Sequence, residues 1–169
     1  MATFVAIDFE TADYGRDSAC VIGLVRVEGS KITRRERRLI RPPRRDFVFS
    51  YIHGIEWKHV AAEPAFLQVW RSLVPVLDGA DFLAAHNASF DRSVLRACCE
   101  AADIGLPPQP FECTVKLARK TWGLRPTTLP DVCRHLRLKL DHHDALSDAE
   151  ACARIVIAAR RNAESETGC

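Results

Sequence analysis

Apolar residues in the first part of the chain come in short runs rather than at helical spacing. Thr3, Phe4, Val5, Ala6 and Ile7 form one run, and "CVIGLVRVEG", from Cys20, forms another. Short runs rich in β-branched residues predict strands buried in a sheet, the first over residues 3–9. Gly29-Ser30 predicts a hairpin into a third strand, Lys31 to Ile40, which Pro42 and Pro43 stop. From Arg44 to Val60 no period is visible, so a loop with one turn of helix is expected there.

The spacing then changes. In "EPAFLQVWRSLVPVLDG", Phe66, Val69, Trp70, Leu73 and Leu77 recur at helical intervals, with Pro64 near the start and Gly79 past the end. Pro75 is expected to kink its last turn. "ADFLAAHN" predicts a fourth strand, "SFDRSVLRACCEAADIG" an amphipathic helix ending at Gly105, and "FECTV" a fifth strand. Helices are expected over 115–122 and 129–138, then a long one over 145–161 with a polar tail. Strands first, then alternating helix and strand, then helices predict an α/β sheet with an antiparallel hairpin at one side and parallel crossovers at the other.

Totals sharpen this only a little. A chain of 169 residues suits one domain, read as 1–162 with a tail over 163–169. With 47% hydrophobic and 27% charged residues, the composition is globular. No apolar run is long enough to span a bilayer and no signal peptide is evident, so a cytoplasmic protein is expected. Seven cysteines without a C-x-x-C pair read as small buried hydrophobes rather than a disulfide or zinc framework. The net charge of +2 points to no partner, yet "KITRRERRLIRPPRR" gathers seven arginines and Lys31 around Glu36. Such a ribbon either tracks a phosphate backbone or is the solvated face of an edge strand, and the edge reading is preferred.

Two acids interrupt the first strand near its end. Residues two apart in a strand share a face, so Asp8 and Glu10 point together with Phe4 and Ala6, while Val5, Ile7 and Phe9 point the other way. The C-terminal ends of strands are where open α/β sheets bind ligands. Asp91 heads the apolar stripe of one helix (Val94, Leu95, Cys98), and Asp148 heads that of another (Cys152, Ile155, Val156). Each could be an ordinary first-turn acid complementing the helix dipole. Four inward-facing acids from three elements nevertheless call for a shared cation, and oxygen ligands favour Mg²⁺ or Mn²⁺. In "DHHDALSDAE", His143 stands five residues ahead of Asp148, where it could take a proton from water near neutral pH. The same histidines could equally be an exposed loop pair. A zinc site from His142, His143, Asp148 and Cys152 lacks a standard spacing.

"DFE" on the first strand, "HNASFD" before a helix and "HDALSD" at the head of a later helix resemble the DEDD (DnaQ-like) 3′–5′ exonuclease family. That family includes the proofreading subunit of bacterial DNA polymerase III and RNase T. The likeness extends over about residues 3 to 160. It implies an RNase H-like fold, a mixed five-stranded sheet flanked by helices. It also implies two Mg²⁺ (or Mn²⁺) held by Asp8, Glu10, Asp91 and Asp148. His143 matches the general base of the histidine subtype, His142 is out of register, and Asp144 stands where the tyrosine subtype has its tyrosine. Substrate contacts are implied at Phe9 and Thr11, at His53 and Gly54 of "IHGI", and at Asn87 and Phe90. The expected reaction releases nucleoside 5′-monophosphates from the 3′ end of a nucleic acid.

Single-stranded DNA is the favoured substrate; RNA trimming and a catalytically silent binding module are the alternatives. The resemblance raises a DNA polymerase as a partner. The chain has no long tail after its last motif, however, which suits a free-standing nuclease or a domain of something larger. No membrane association is expected.

Overall fold

The computed structural model describes residues 2–167. Its centre is a five-stranded sheet in the order β3-β2-β1-β4-β5. β1 (Thr3–Thr11), β2 (Ala19–Glu28) and β3 (Lys31–Leu39) form an antiparallel meander, whose β2–β3 turn has Gly29 at φ 64°. β4 (Phe82–Ala85) and β5 (Phe111–Cys113) add on in parallel beyond β1. This is the mixed five-stranded sheet expected, with the hairpin and the crossovers on opposite sides of β1.

Alternation along β1 divides the core in two. Val5, Ile7 and Phe9, level with Leu24 and Ile22 on β2, face α3 (Phe66–Leu73) and α4 (Ser89–Ala101). Phe4 and Ala6, level with Val27 and Val25, face α5 (Thr114–Trp122), α6 (Leu129–Leu136) and α7 (Ala145–Thr167). Asp8 and Glu10 continue the second row and so run on toward the start of α7.

Gly23, the register partner of Asp8, explains how close α7 comes. A Cβ there would lie 2.7 Å from the Leu146 amide nitrogen and nearer still to the Ala145 carbonyl. The first turn of α7 therefore rests directly on the β2 backbone, as strand glycines often permit. Two arginines of β3 clasp the same helix: Arg35 pairs with Glu150 (2.6 Å) and Arg37 with Asp144 (3.1 Å). β3 is thus an edge strand with exposed cations, several of them satisfied by acids.

Several elements differ from expectation: β1 runs two residues further, to Thr11, and α4 ends at Ala101, before the expected Gly105. The segment before residue 60 holds two helical turns, α1 (Ser50–His53) and α2 (Trp57–Val60), rather than one. α3 stops at Leu73 and tightens into a 3₁₀ turn, Val74–Leu77, because Pro75 has no N–H to continue the α pattern. α6 ends at Leu136, where Arg137 turns left-handed at φ 56°. α7 runs on to Thr167, past the expected end at Arg161, because no glycine or proline interrupts it before Gly168. Five cysteines are buried and free, Cys113 is half-buried and free, and Cys169 lies outside the described residues. Among the described residues no helix is long and apolar enough to cross a membrane.

Candidate active site

Strand β1 delivers Asp8 and Glu10 to the end of the sheet, and α7 brings Asp148 down on them. Oxygens of these three carboxylates lie within 4.8 Å of one another. Asp148 is fixed by the turn before α7. Asp144 caps that helix, its Oδ1 accepting from Ser147 N–H (3.0 Å), and the Asp148 amide donates to the Asp144 carbonyl (2.9 Å).

Asp91 arrives from the other layer. β4 ends at Ala85, and His86–Ala88 carry the chain over the strand ends into α4, with Asn87 left-handed at φ 61°. Asp91 Oδ1 accepts from the Phe9 N–H at 3.0 Å, so it is tied to the backbone between Asp8 and Glu10. It lies outside the tight triad of acids, although its charge acts on Asp8. His86 stabilises the crossing: its Nδ1 and Nε2 lie 2.8 and 3.0 Å from Thr114 Oγ1 and the Thr127 carbonyl.

Burial disfavours the charged form of every acid in this cluster. Burial, then the charges of Asp91, Asp148 and Glu10, pushes Asp8 well above the usual carboxylate range. Glu10 is pushed up to about 8 by burial and then by Asp148 and Asp91. Burial lifts Asp91 to about 7, against the pull of the Phe9 N–H. Asp148 also rises by burial, opposed chiefly by His142. Its Oδ1 is buried without a hydrogen-bond partner, one of two such side-chain atoms among the described residues. A buried carboxylate oxygen left bare amid other carboxylates fits a metal ligand, and the all-oxygen set suits a hard divalent ion.

Both histidines are present at the rim. His143 adopts φ 69°, its N–H donates to Asp148 Oδ2 (3.2 Å), and its Nδ1 is 3.9 Å from Glu10 Oε1. Burial and then His142 lower its pKa below the usual histidine value, which keeps the ring a proton acceptor near neutrality. His142, out of register by sequence, nevertheless reaches Asp148 Oδ2 through Nδ1 at 2.9 Å and stacks on His143 with centroids 3.8 Å apart. Ligand atoms of His142, His143 and Asp148 also group within 4.8 Å, without Cys152, which is buried in the core beneath.

The remaining residues fall into place unevenly. His53 Nε2 lies 3.1 Å from the Thr11 carbonyl, and its Nδ1 accepts from the Ile55 N–H, so α1 is moored to the end of β1. Gly54 closes that turn at φ 73°. Asn87 is exposed, and Phe90 is half-buried beneath the Arg16 guanidinium, 4.7 Å from its centroid. The Phe9 ring is buried on the α4 side, so only its backbone faces the acids.

An acid-lined strand end of this kind, roofed by helices from both layers, suits work on phosphodiesters with divalent ions. The chain is a member of the RNase T exonuclease family, whose model matches residues 5–156. It is 34% identical over 146 residues to Exodeoxyribonuclease 10 of Escherichia coli, covering 80% of this chain and 59% of that protein. It is 31% identical over 154 residues to a PolC-type DNA polymerase III of Oceanobacillus iheyensis, covering 88% of this chain and 11% of the polymerase. The chain thus spans little more than half of one relative and a small part of the other. A solved structure of exonuclease X in complex with 5′ overhanging duplex DNA superposes with a TM-score of 0.76 at 27% identity, covering 95% of this chain and 93% of that one. The RNase H-like fold and the exonuclease class expected from the motifs are both borne out.

Proposed function

We propose that this chain is a metal-dependent 3′–5′ exonuclease that releases nucleoside 5′-monophosphates from single-stranded DNA. The observation that carries the reading is the convergence of Asp8, Glu10 and Asp148 around the bare Asp148 Oδ1, with Asp91 tied beside them. Asp8, Glu10, Asp91 and Asp148 would hold two Mg²⁺ (or Mn²⁺). When bound, the ions offset the carboxylate charge and stabilise the charge that develops on the phosphate oxygens. Thr11, His53, Gly54, Asn87, Phe90 and the Phe9 backbone surround the terminal nucleotide.

His143 takes the proton from the attacking water as its oxygen bonds to phosphorus. The bond from phosphorus to the O3′ of the preceding nucleotide breaks, and that oxygen is protonated by solvent. Glu10, near His143 Nδ1, stabilises the imidazolium that results. The names of the E. coli and Oceanobacillus relatives support DNA over RNA, and the likeness to part of a polymerase supports a polymerase partner. Residues 1–162 act as a single exonuclease domain, and the free thiols suit the reducing cytoplasm.

The test is degradation of 5′-labelled single-stranded DNA and RNA of equal sequence with Mg²⁺ or Mn²⁺. A ladder shortening from the 3′ end of DNA, lost with a chelator, is expected. A ladder on RNA alone would move the reading to RNA trimming, and none on either would leave a silent binding module. Asp8→Ala should abolish the activity at any Mg²⁺ concentration.

A further inference from the structure

The acid cluster gives Asp148 a task but leaves His142 without one. Ring nitrogens of His142 and His143 and a carboxylate oxygen of Asp148 lie within 4.8 Å of one another, a second group that shares only Asp148 with the triad of acids. His142 Nδ1 stands 2.9 Å from Asp148 Oδ2, and the two rings are inclined by 23°. The rings are 38% and 42% exposed, so an ion reaches them without any opening of the fold. Glu10 closes a further side, its Oε1 3.9 Å from His143 Nδ1. His143 is left-handed at φ 69°, a conformation that a non-glycine residue holds only where its surroundings enforce it.

The plainest use of His142 is a hydrogen bond to Asp148 and no more. Three features favour an ion instead. Two imidazoles and a carboxylate are a donor set for zinc, whereas Mg²⁺ takes oxygen. Tetrahedral ligands about 2.0–2.1 Å from zinc stand about 3.3 Å apart, so groups already this close need only side-chain rotation. The neighbouring Asp8 and Glu10 add negative charge that draws a cation to the spot. Cys152 is buried in the core beneath and takes no part.

We propose that His142, His143 and Asp148 form an inhibitory site for Zn²⁺. Zinc bound there occupies the ring nitrogen lone pair with which His143 would accept the proton of water, and it draws Asp148 away from Mg²⁺. The two ions then compete for one carboxylate, and the nuclease falls silent as free Zn²⁺ rises. The binding stands on the geometry alone; the inhibition rests on the exonuclease reading above.

The test measures Zn²⁺ affinity of the full chain by competition with a chromophoric chelator, with excess Mg²⁺ present. His142→Ala and His143→Ala should each weaken Zn²⁺ binding by at least the about 10- to 100-fold that a partner outside the ligand shell is worth. Asp8→Asn, which spoils the acid triad alone, should weaken it less than either. Equal affinity in the parent and His142→Ala overturns the site, as does a loss in Asp8→Asn matching the histidine variants. Release of mononucleotides in Mg²⁺ is then titrated with Zn²⁺, each protein against its own zinc-free rate. The Zn²⁺ needed to halve the rate should rise in His142→Ala by the factor seen in binding, and should rise in the parent as Mg²⁺ is added. Inhibition that His142→Ala leaves unchanged overturns the inhibitory role. A parent that binds Zn²⁺ through its histidines but shows no nuclease activity overturns the exonuclease reading, and the inhibition with it, while the zinc site stands.

Discussion

Gly23 is not among the residues that face a substrate, yet Gly23→Ala should damage catalysis more than stability. Ordinary contact with a Cβ begins at 3.4 Å, and the new methyl would meet Leu146 N at 2.7 Å and the Ala145 carbonyl closer still. Both are backbone atoms at the start of α7, so the helix end must lift by about 1 Å. Overpacking of this size costs about 1–3 kcal/mol, offset in part by about 0.4–1 kcal/mol from the stiffer unfolded chain. In a chain of this length the net of about 0.6–2 kcal/mol lowers Tm by roughly 1–8 °C. Lifting the helix also carries Asp148 and His143 away from Asp8 and Glu10, and a misplacement of about 1 Å costs about 10²-fold in rate. The assay is kcat for mononucleotide release with Mg²⁺, read well below the melting point, beside thermal melts by circular dichroism. A folded variant with kcat within about threefold of the parent would refute the view that this seat sets the distance between the acids.

Three further outcomes follow from the same geometry. Because Glu10 rises from 4.5 to about 8, and Asp8 and Asp91 also rise, the folded metal-free protein binds more protons than the unfolded chain between about pH 4.5 and 8. Its Tm should therefore fall as pH rises through that window, and Mg²⁺ or Asp8→Asn should flatten the slope; a metal-free Tm that climbs from pH 5 to 8 contradicts the electrostatics. His143→Ala should slow hydrolysis by about 10²-fold or more, whereas His142→Ala should keep kcat and lower the Mg²⁺ needed for half-maximal rate, since it frees Asp148 Oδ2. Similar kcat losses in both would reject the assignment of the base. Arg44 holds Asp13 and Asp17 below the usual carboxylate range, so its contribution is present above about pH 4 and fades as pH falls. Arg44→Ala should lose at most about 1 kcal/mol at pH 7, because the arginine is 41% exposed, with the gap to the parent closing near pH 2; an equal gap at both pH values would count against the clasp.

Alternation along β1 made the shared face of Asp8 and Glu10 legible, and helical spacing made Asp91 and Asp148 legible as heads of core-facing stripes. It did not reveal that these two helices lie on opposite faces of the sheet, because periodicity gives each element a face but not a layer. The seat at Gly23 is not legible from the second strand's own pattern, because the approaching backbone comes from more than a hundred residues away. His142 escaped because the left-handed turn at His143 folds both rings onto Asp148, and side-chain register alone does not encode that turn. Asp144 stands where the tyrosine subtype has its tyrosine, yet an aspartate just ahead of an apolar helix with Ser147 three residues on is a cap.

The acids meet only because two layers reach over the end of one strand. Asp91 is set by α4 packed on the Val5–Ile7–Phe9 face, and Asp148 by α7 packed on the Phe4–Ala6 face. Repulsion among the acids pushes the layers apart at that point, and a cation bound there would pull them together. Metal binding and the seating of α7 on Gly23 are therefore linked, and linkage is reciprocal. Whatever lifts α7 weakens metal affinity by the factor by which metal resists the lifting. Gly23→Ala should accordingly need more Mg²⁺ for half-maximal thermal stabilisation than the parent. Asp8→Asn, which removes a proposed ligand without moving the helix, should lose that stabilisation while keeping the parent's metal-free fold.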